Sequence, residues 1–198
     1  MHVELQDRPL RADAQRTAQA ILEAAERTLS RNPAASMEEI AEAAGVARTT
    51  VHRRFASREA LVGAMTRWAA QRFHAAVLAA RPDTTPPLVA LYQVTANVLQ
   101  VKIGWEFAMS RPSSDPEVER IHAEVRDGCD RLLKRARDAG LLRADVDLDW
   151  ARRAYYALIH EATRSGPEVV GGTDALATLV VDTLLHGVGA GSSVLRST

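Results

Sequence analysis

The sequence predicts an all-α protein, with a small N-terminal three-helix bundle followed by a larger helical bundle. Three observations predict it. Apolar residues recur at spacings of three and four along most of the chain. Strand signals are nearly absent, and Ala, Leu, Arg and Glu dominate. Capping residues, prolines and glycines cut the periodic stretches into helix-length pieces.

The first helix is expected from about Asp13 to Ser30. Ala18, Ile21, Leu22, Ala25 and Leu29 form one apolar stripe, with Arg16, Glu23 and Arg27 outside it. Asn32 and Pro33 end it, because asparagine tolerates a left-handed turn and proline cannot continue a helix. Ser36-Met37-Glu38-Glu39 is a capping box that starts a short helix to about Ala43. Gly45 breaks that helix, and a third covers about Arg48 to Arg54. Ser57 caps a long helix reaching about Ala80, with Glu59 in its first turn to suit the dipole.

The proline-rich stretch Arg81 to Pro87 reads as a linker. Further helices are expected at about Pro86 to Val101, Ile103 to Ser110, Asp115 to Ala139, Asp147 to Arg164 and Thr173 to Gly187. Asp115-Pro116-Glu117 is a strong start and Gly140 a strong stop. Gly166-Pro167 and Gly171-Gly172 flank a loop.

The 198 residues suffice for a core without covalent staples. The 25 basic and 25 acidic residues balance, which argues against coating nucleic acid or membrane non-specifically. A single cysteine, Cys129, permits no intrachain disulfide and suits the reducing cytoplasm. The most apolar stretch, Ala175 to Val188, is interrupted by Asp182 and His186, so no membrane partner is expected.

Met37 to Phe55 carries the chemistry. Two short helices joined by a glycine-containing turn form a helix-turn-helix, whose second helix enters the major groove of DNA. Ala41 is small where the helices cross, and Gly45 can take positive φ without steric cost. Ile40, Ala44, Val46, Val51 and Phe55 are expected to point inward. Arg48, Thr49, Thr50, His52 and Arg53 then lie outward. From Ala44 to Arg58 there are four arginines and no acid. Such a bias supplies phosphate-directed charge, and arginine reads guanine through paired hydrogen bonds. The alternative is a solvated charged face on an ordinary helical bundle.

The stretch from about Thr17 to Leu61 closely resembles the DNA-binding domain of the TetR (tetracycline repressor) family. The carrying residues are Ile21 to Ala25, Ser36 to Ala41, Ala44-Gly45-Val46, Thr50 to Phe55 and Ser57 to Leu61. The resemblance implies a helix-turn-helix domain over 11–71 and an effector-binding and dimerisation domain over 72–198. It implies a ligand-responsive repressor that binds a palindromic double-stranded operator as a homodimer. Ser36 and Met37 belong to the DNA-facing set, with Ser36 bonding a phosphate. Arg48, Thr49 and Arg53 approach base edges, Thr50 and His52 the backbone or groove edge, and Arg58 clamps a phosphate. His52 replaces the family's usual tyrosine, and Asn32 its usual glycine.

No catalytic spacing, phosphate loop or cofactor motif appears in the C-terminal part. Glu119 and His122 have the Glu-x-x-His spacing of carboxylate metal sites, but no second copy accompanies them. By the resemblance, Trp68, Trp105, Met109, His122, Tyr155 and His160 line a pocket for a small hydrophobic or aromatic effector. Plain core packing is the alternative for each. Leu176, Leu179, Val180, Val181, Thr183, Leu184, Leu185 and Val188 surround most of the last helix, so one face is expected on its own subunit and another on a twofold copy. A transcriptional activator, a small metal-dependent helical enzyme and a helical adaptor are the rival readings.

Overall fold

The computed structural model describes residues 4–165 and 172–188, with side chains described over 13–164 and 172–186. Among the described residues the chain forms nine helices and no strand. They are α1 (Glu4–Arg31), α2 (Met37–Ala43), α3 (Arg48–Arg54), α4 (Arg58–Ala79), α5 (Pro87–Gly104), α6 (Glu106–Met109), α7 (Pro116–Asp138), α8 (Leu148–Ser165) and α9 (Thr173–Val188). The loop expected around Gly166, Pro167 and Gly171 lies outside the described residues.

Two boundaries differ from the sequence reading. Helix α1 begins at Glu4 rather than near Asp13. The apolar stripe starts only at Ala18, so periodicity carried no signal for the polar turns before it. The expected helix Ile103–Ser110 is split: α5 absorbs Ile103 and ends at Gly104. Trp105, at φ −134 and ψ 41, leaves helical geometry before the four-residue α6.

The chain divides into two compact units. The first holds the residues up to Ala69 together with Trp105–Asp115. The second holds Ala70–Gly104 and the residues from Pro116 onward. Helix α4 contributes to both.

In the first unit α1 packs on α2 and α6, and α2 on α3. Ile21, Ala25 and Leu29 of α1, Ile40 and Ala41 of α2, Val51 of α3, and Leu61 and Met65 of α4 are all buried. Each large apolar side chain so buried contributes about 1.5–3 kcal/mol.

One buried residue of α1 is charged. Glu26 is 4% exposed. Its carboxylate accepts hydrogen bonds from the backbone N–H groups of Phe107 (2.7 Å) and Ala108 (3.0 Å) and from the Ser30 hydroxyl (3.0 Å). It thereby takes up two of the amide donors that the start of α6 leaves without an intrahelical partner. Burial raises its pKa, and those hydrogen bonds oppose the rise.

In the second unit α5 packs on α7, α8 and α9, and α8 packs on α7 and α9. Val118, Ile121, Val125, Leu132 and Leu133 form the buried stripe of α7. Gly140, at φ 76, ends that helix. Its N–H bonds the Arg137 carbonyl, and the Leu141 N–H bonds the Ala136 carbonyl, which is a Schellman closure. The proline-rich linker is held by α7. Arg135 donates to the carbonyls of Pro82 and Thr85, and Arg131 pairs with Asp83 at 3.0 Å.

Candidate nucleic-acid interface

The reading head is built around one turn. Ser36 and Glu39 form both halves of the capping box: the Glu39 N–H donates to Ser36 Oγ at 3.2 Å, and the Ser36 N–H donates to Glu39 Oε2 at 2.7 Å. That second bond holds the Glu39 carboxyl below its ordinary value. At the other end of α2, Gly45 sits at φ 66. The Gly45 N–H bonds the Glu42 carbonyl and the Val46 N–H bonds the Ala41 carbonyl, each at 3.0 Å. This Schellman geometry reverses the chain and aims it into α3. A side chain at Gly45 would meet nothing within 4 Å, so the glycine is required by φ rather than by space.

Helix α3 anchors itself through Val51, its one buried residue. Arg48, Thr49, His52, Arg53 and Arg54 are exposed, and Thr50 is half-buried. Ala44, Val46 and Phe55, expected inward, are also half-buried, while Ile40 is fully enclosed. Arg48 does not stand free. Its Nε lies 2.6 Å from Glu38 Oε1 and donates to His52 Nε2 at 3.5 Å. Arg58, at the start of α4, donates to the Pro33 carbonyl at 2.5 Å and ties α4 to the loop after α1.

The residues expected to face DNA all lie in the first unit, and one of them needs correcting. Met37 is 8% exposed, so its side chain serves the core and only its backbone remains for an outside partner. The first residue of an amphipathic helix can point either way, and here the stripe through Ile40 and Ala41 carries it inward. Sequence reasoning missed the Glu38–Arg48 pair, because it joins two helices across a turn. It also missed Glu26, although a carboxylate between Leu22, Ala25 and Leu29 on an apolar stripe is itself a signal.

The six expected effector-lining residues do not share one unit. Trp68, Trp105 and Met109 belong to the first, and His122, Tyr155 and His160 to the second. Trp105 is buried, and the Trp68 indole nitrogen is enclosed without a hydrogen-bond partner among the described residues. Tyr155 is buried with its hydroxyl 2.6 Å from Thr95 Oγ1. His122 and His160 are exposed. Partial desolvation of the ring, and then the nearby Lys102 cation, lower the His122 pKa. Burial lowers that of Lys102 as well. The Cys129 thiol is pushed up to about 12 by burial, so it stays protonated near neutral pH. Among the described residues no group of three or more His, Cys, Asp or Glu side chains is placed to hold a metal ion, and Glu119 and His122 gain no third ligand. No described helix is long and apolar enough to cross a membrane.

A capped short helix, a left-handed glycine turn and a second short helix with an outward cationic face define a helix-turn-helix DNA-binding protein. Residues 21–65 match the model of the bacterial regulatory proteins of the tetR family. The chain is 34% identical over 157 residues to the HTH-type transcriptional repressor LfrR of Mycolicibacterium smegmatis, covering 77% of this chain and 82% of that one. It therefore belongs to the TetR family of transcriptional regulators. The crystal structure of LfrR from Mycobacterium smegmatis in complex with proflavine superposes with a TM-score of 0.65 at 28% identity, covering 92% of this chain and 99% of that chain. The TetR-family regulator PfmR of Thermus thermophilus shares the fold, with a TM-score of 0.71 at 19% identity over 87% of this chain and 99% of that one.

Proposed function

We propose that the protein is a ligand-responsive repressor that binds a palindromic operator as a homodimer. The observation that carries this reading is α3, a recognition helix whose Arg48, Thr49 and Arg53 are exposed while Val51 anchors it. Arg48, Thr49 and Arg53 approach base edges, and Ser36, Thr50, His52 and Arg58 meet the backbone. The Ser36 oxygen already accepts the Glu39 amide, which leaves its hydroxyl hydrogen to donate to a phosphate.

Dimerisation is supported by apolar surface on the last two helices. Leu179 of α9 is 53% exposed and Trp150 of α8 is 57% exposed. A twofold copy covers them and sets two recognition helices about 34–36 Å apart, one helical turn of DNA. The C-terminal bundle, with Tyr155 and His122, receives a small aromatic or hydrophobic effector; LfrR, crystallised with proflavine, favours that class. Effector binding shifts the dimer away from the DNA-competent spacing, with a coupling of roughly 1–3 kcal/mol. Repression is favoured over activation because the relative of 34% identity is a repressor.

Fluorescence anisotropy on DNA fragments flanking the gene tests the reading. Arg48→Ala is expected to weaken specific binding by about 1–3 kcal/mol while leaving the fold intact. Equal affinity of Arg48→Ala and wild type for the operator removes Arg48 from the interface. Failure of the wild type to bind any fragment at low salt removes the function.

A further inference from the structure

Of the three glutamates on α2, Glu38 alone forms an ion pair with α3 among the described residues. Glu39 is turned back onto the Ser36 N–H, and no acid lies between Glu42 and Glu59. The position of Glu38 is fixed from two directions. The Ser36–Glu39 capping box sets the first turn of α2, and the left-handed turn at Gly45 sets how α3 leaves it. An exposed pair of this kind adds little to the stability of a fold. Stability therefore does not account for an acid held against the recognition helix.

The contact engages one edge of Arg48 and leaves the other. Arg48 Nε lies 2.6 Å from Glu38 Oε1 and donates to His52 Nε2 at 3.5 Å. The two terminal nitrogens of Arg48 have no partner among the described residues. Two arginine N–H groups side by side match the O6 and N7 acceptors of guanine in the major groove. Phosphates flank that groove in every sequence, and an untethered arginine can reach them whatever the bases are. A tethered arginine reaches them only by giving up Glu38. Arg53 and Arg54, also exposed on α3, make no ion pair among the described residues.

We propose that Glu38 is a specificity-determining residue that acts without touching DNA: it confines Arg48 to reading guanine. Every duplex meets the negative charge of Glu38 and an arginine that is already engaged. A guanine in register takes both terminal N–H groups while the pair stays intact, and so offsets that cost. A phosphate does not. Discrimination is gained by penalising wrong sequences, with some loss of affinity for the right one. The inference rests on the DNA-binding reading above.

The test uses the full-length protein and two probes. One is a duplex that the wild type selects from a random pool. The other is an alternating A·T duplex of the same length, which holds no guanine. Anisotropy is read over a salt series. For Glu38→Gln, affinity for the selected duplex is expected to rise a few-fold and that for the A·T duplex about tenfold or more, so discrimination falls about threefold or more. The slope of log K against log salt on the A·T duplex steepens by about 0.9 for each arginine released. In an Arg48→Ala background, Glu38→Gln leaves discrimination unchanged. Guanines of the selected duplex are then replaced one at a time by 7-deazaguanine, which lacks the N7 acceptor. The replacement weakens wild type at the guanine that Arg48 reads, and leaves Arg48→Ala unaffected there. An equal gain on both duplexes, a loss of affinity for the selected duplex, or a shift in discrimination that persists without Arg48 overturns the proposal. So does a scan in which no guanine responds. A wild type that selects no sequence from the pool overturns the DNA-binding reading itself.

Discussion

Helices α3 and α9 carry opposite patterns. Helix α3 buries Val51 alone and exposes arginines and a threonine. Helix α9 buries Leu176, Ala177, Val180, Val181 and Leu184. A seven-residue helix with one anchor is not stable by itself. It is held by the turn at Gly45 and by α2, and this support frees its outer face for chemistry. In α9 the side chains themselves are the support. Substitutions on α3 should therefore change binding without changing stability, and substitutions in the C-terminal core should do the reverse.

The largest effect expected is on the C-terminal side. Leu133 of α7 is fully buried, and Leu133→Ala should cost roughly 2–5 kcal/mol in urea unfolding. The fraction that remains folded should bind operator with unchanged affinity; a weakened intrinsic affinity would erase the division of labour. Glu26→Ala comes next. It leaves the Phe107 and Ala108 amides without their acceptor. About 2–4 kcal/mol of stability should be lost. An unchanged unfolding midpoint would show that water replaces the carboxylate.

Two smaller effects sharpen the comparison. Glu38→Gln frees Arg48 from its 2.6 Å ion pair. The pair is exposed, so stability should move by less than about 1 kcal/mol. Operator affinity should rise a few-fold, because an arginine is released and a negative charge near the phosphates is removed. A fall in affinity, read by anisotropy, would mean that Glu38 positions Arg48 for DNA. The smallest effect concerns pH. Partial desolvation and Lys102 hold the His122 pKa below its ordinary 6.5. The unfolded chain then takes up a proton before the folded one, so stability falls as pH drops below 6.5 toward the folded value. His122→Gln should flatten that part of the acid limb, measured by denaturation at stepped pH. An identical limb in the variant would place the titration elsewhere.

The reading head was legible because its signals are local. A capping box, a glycine turn, an alanine crossing and a run of arginines without acids each follow from residues within one or two turns of one another. Other features join distant segments. Glu26 meets α6 eighty-one residues away in sequence at Phe107, and Met37 turns inward on a face shared with α1. The Glu38–Arg48 pair spans only ten residues, but it depends on how α2 crosses α3. Periodicity within one helix reports on none of these.

By itself the sequence determined that the chain is helical, where most helices stop, and which short helix carries an outward cationic face, because capping, φ preference and hydrophobic period act over a few residues. Only the tertiary structure decided that Trp105–Asp115 joins the N-terminal unit. It alone also decided that a buried carboxylate anchors α6. These depend on which distant surfaces come together, and that is settled by the packing of the whole core rather than by the propensity of any one segment.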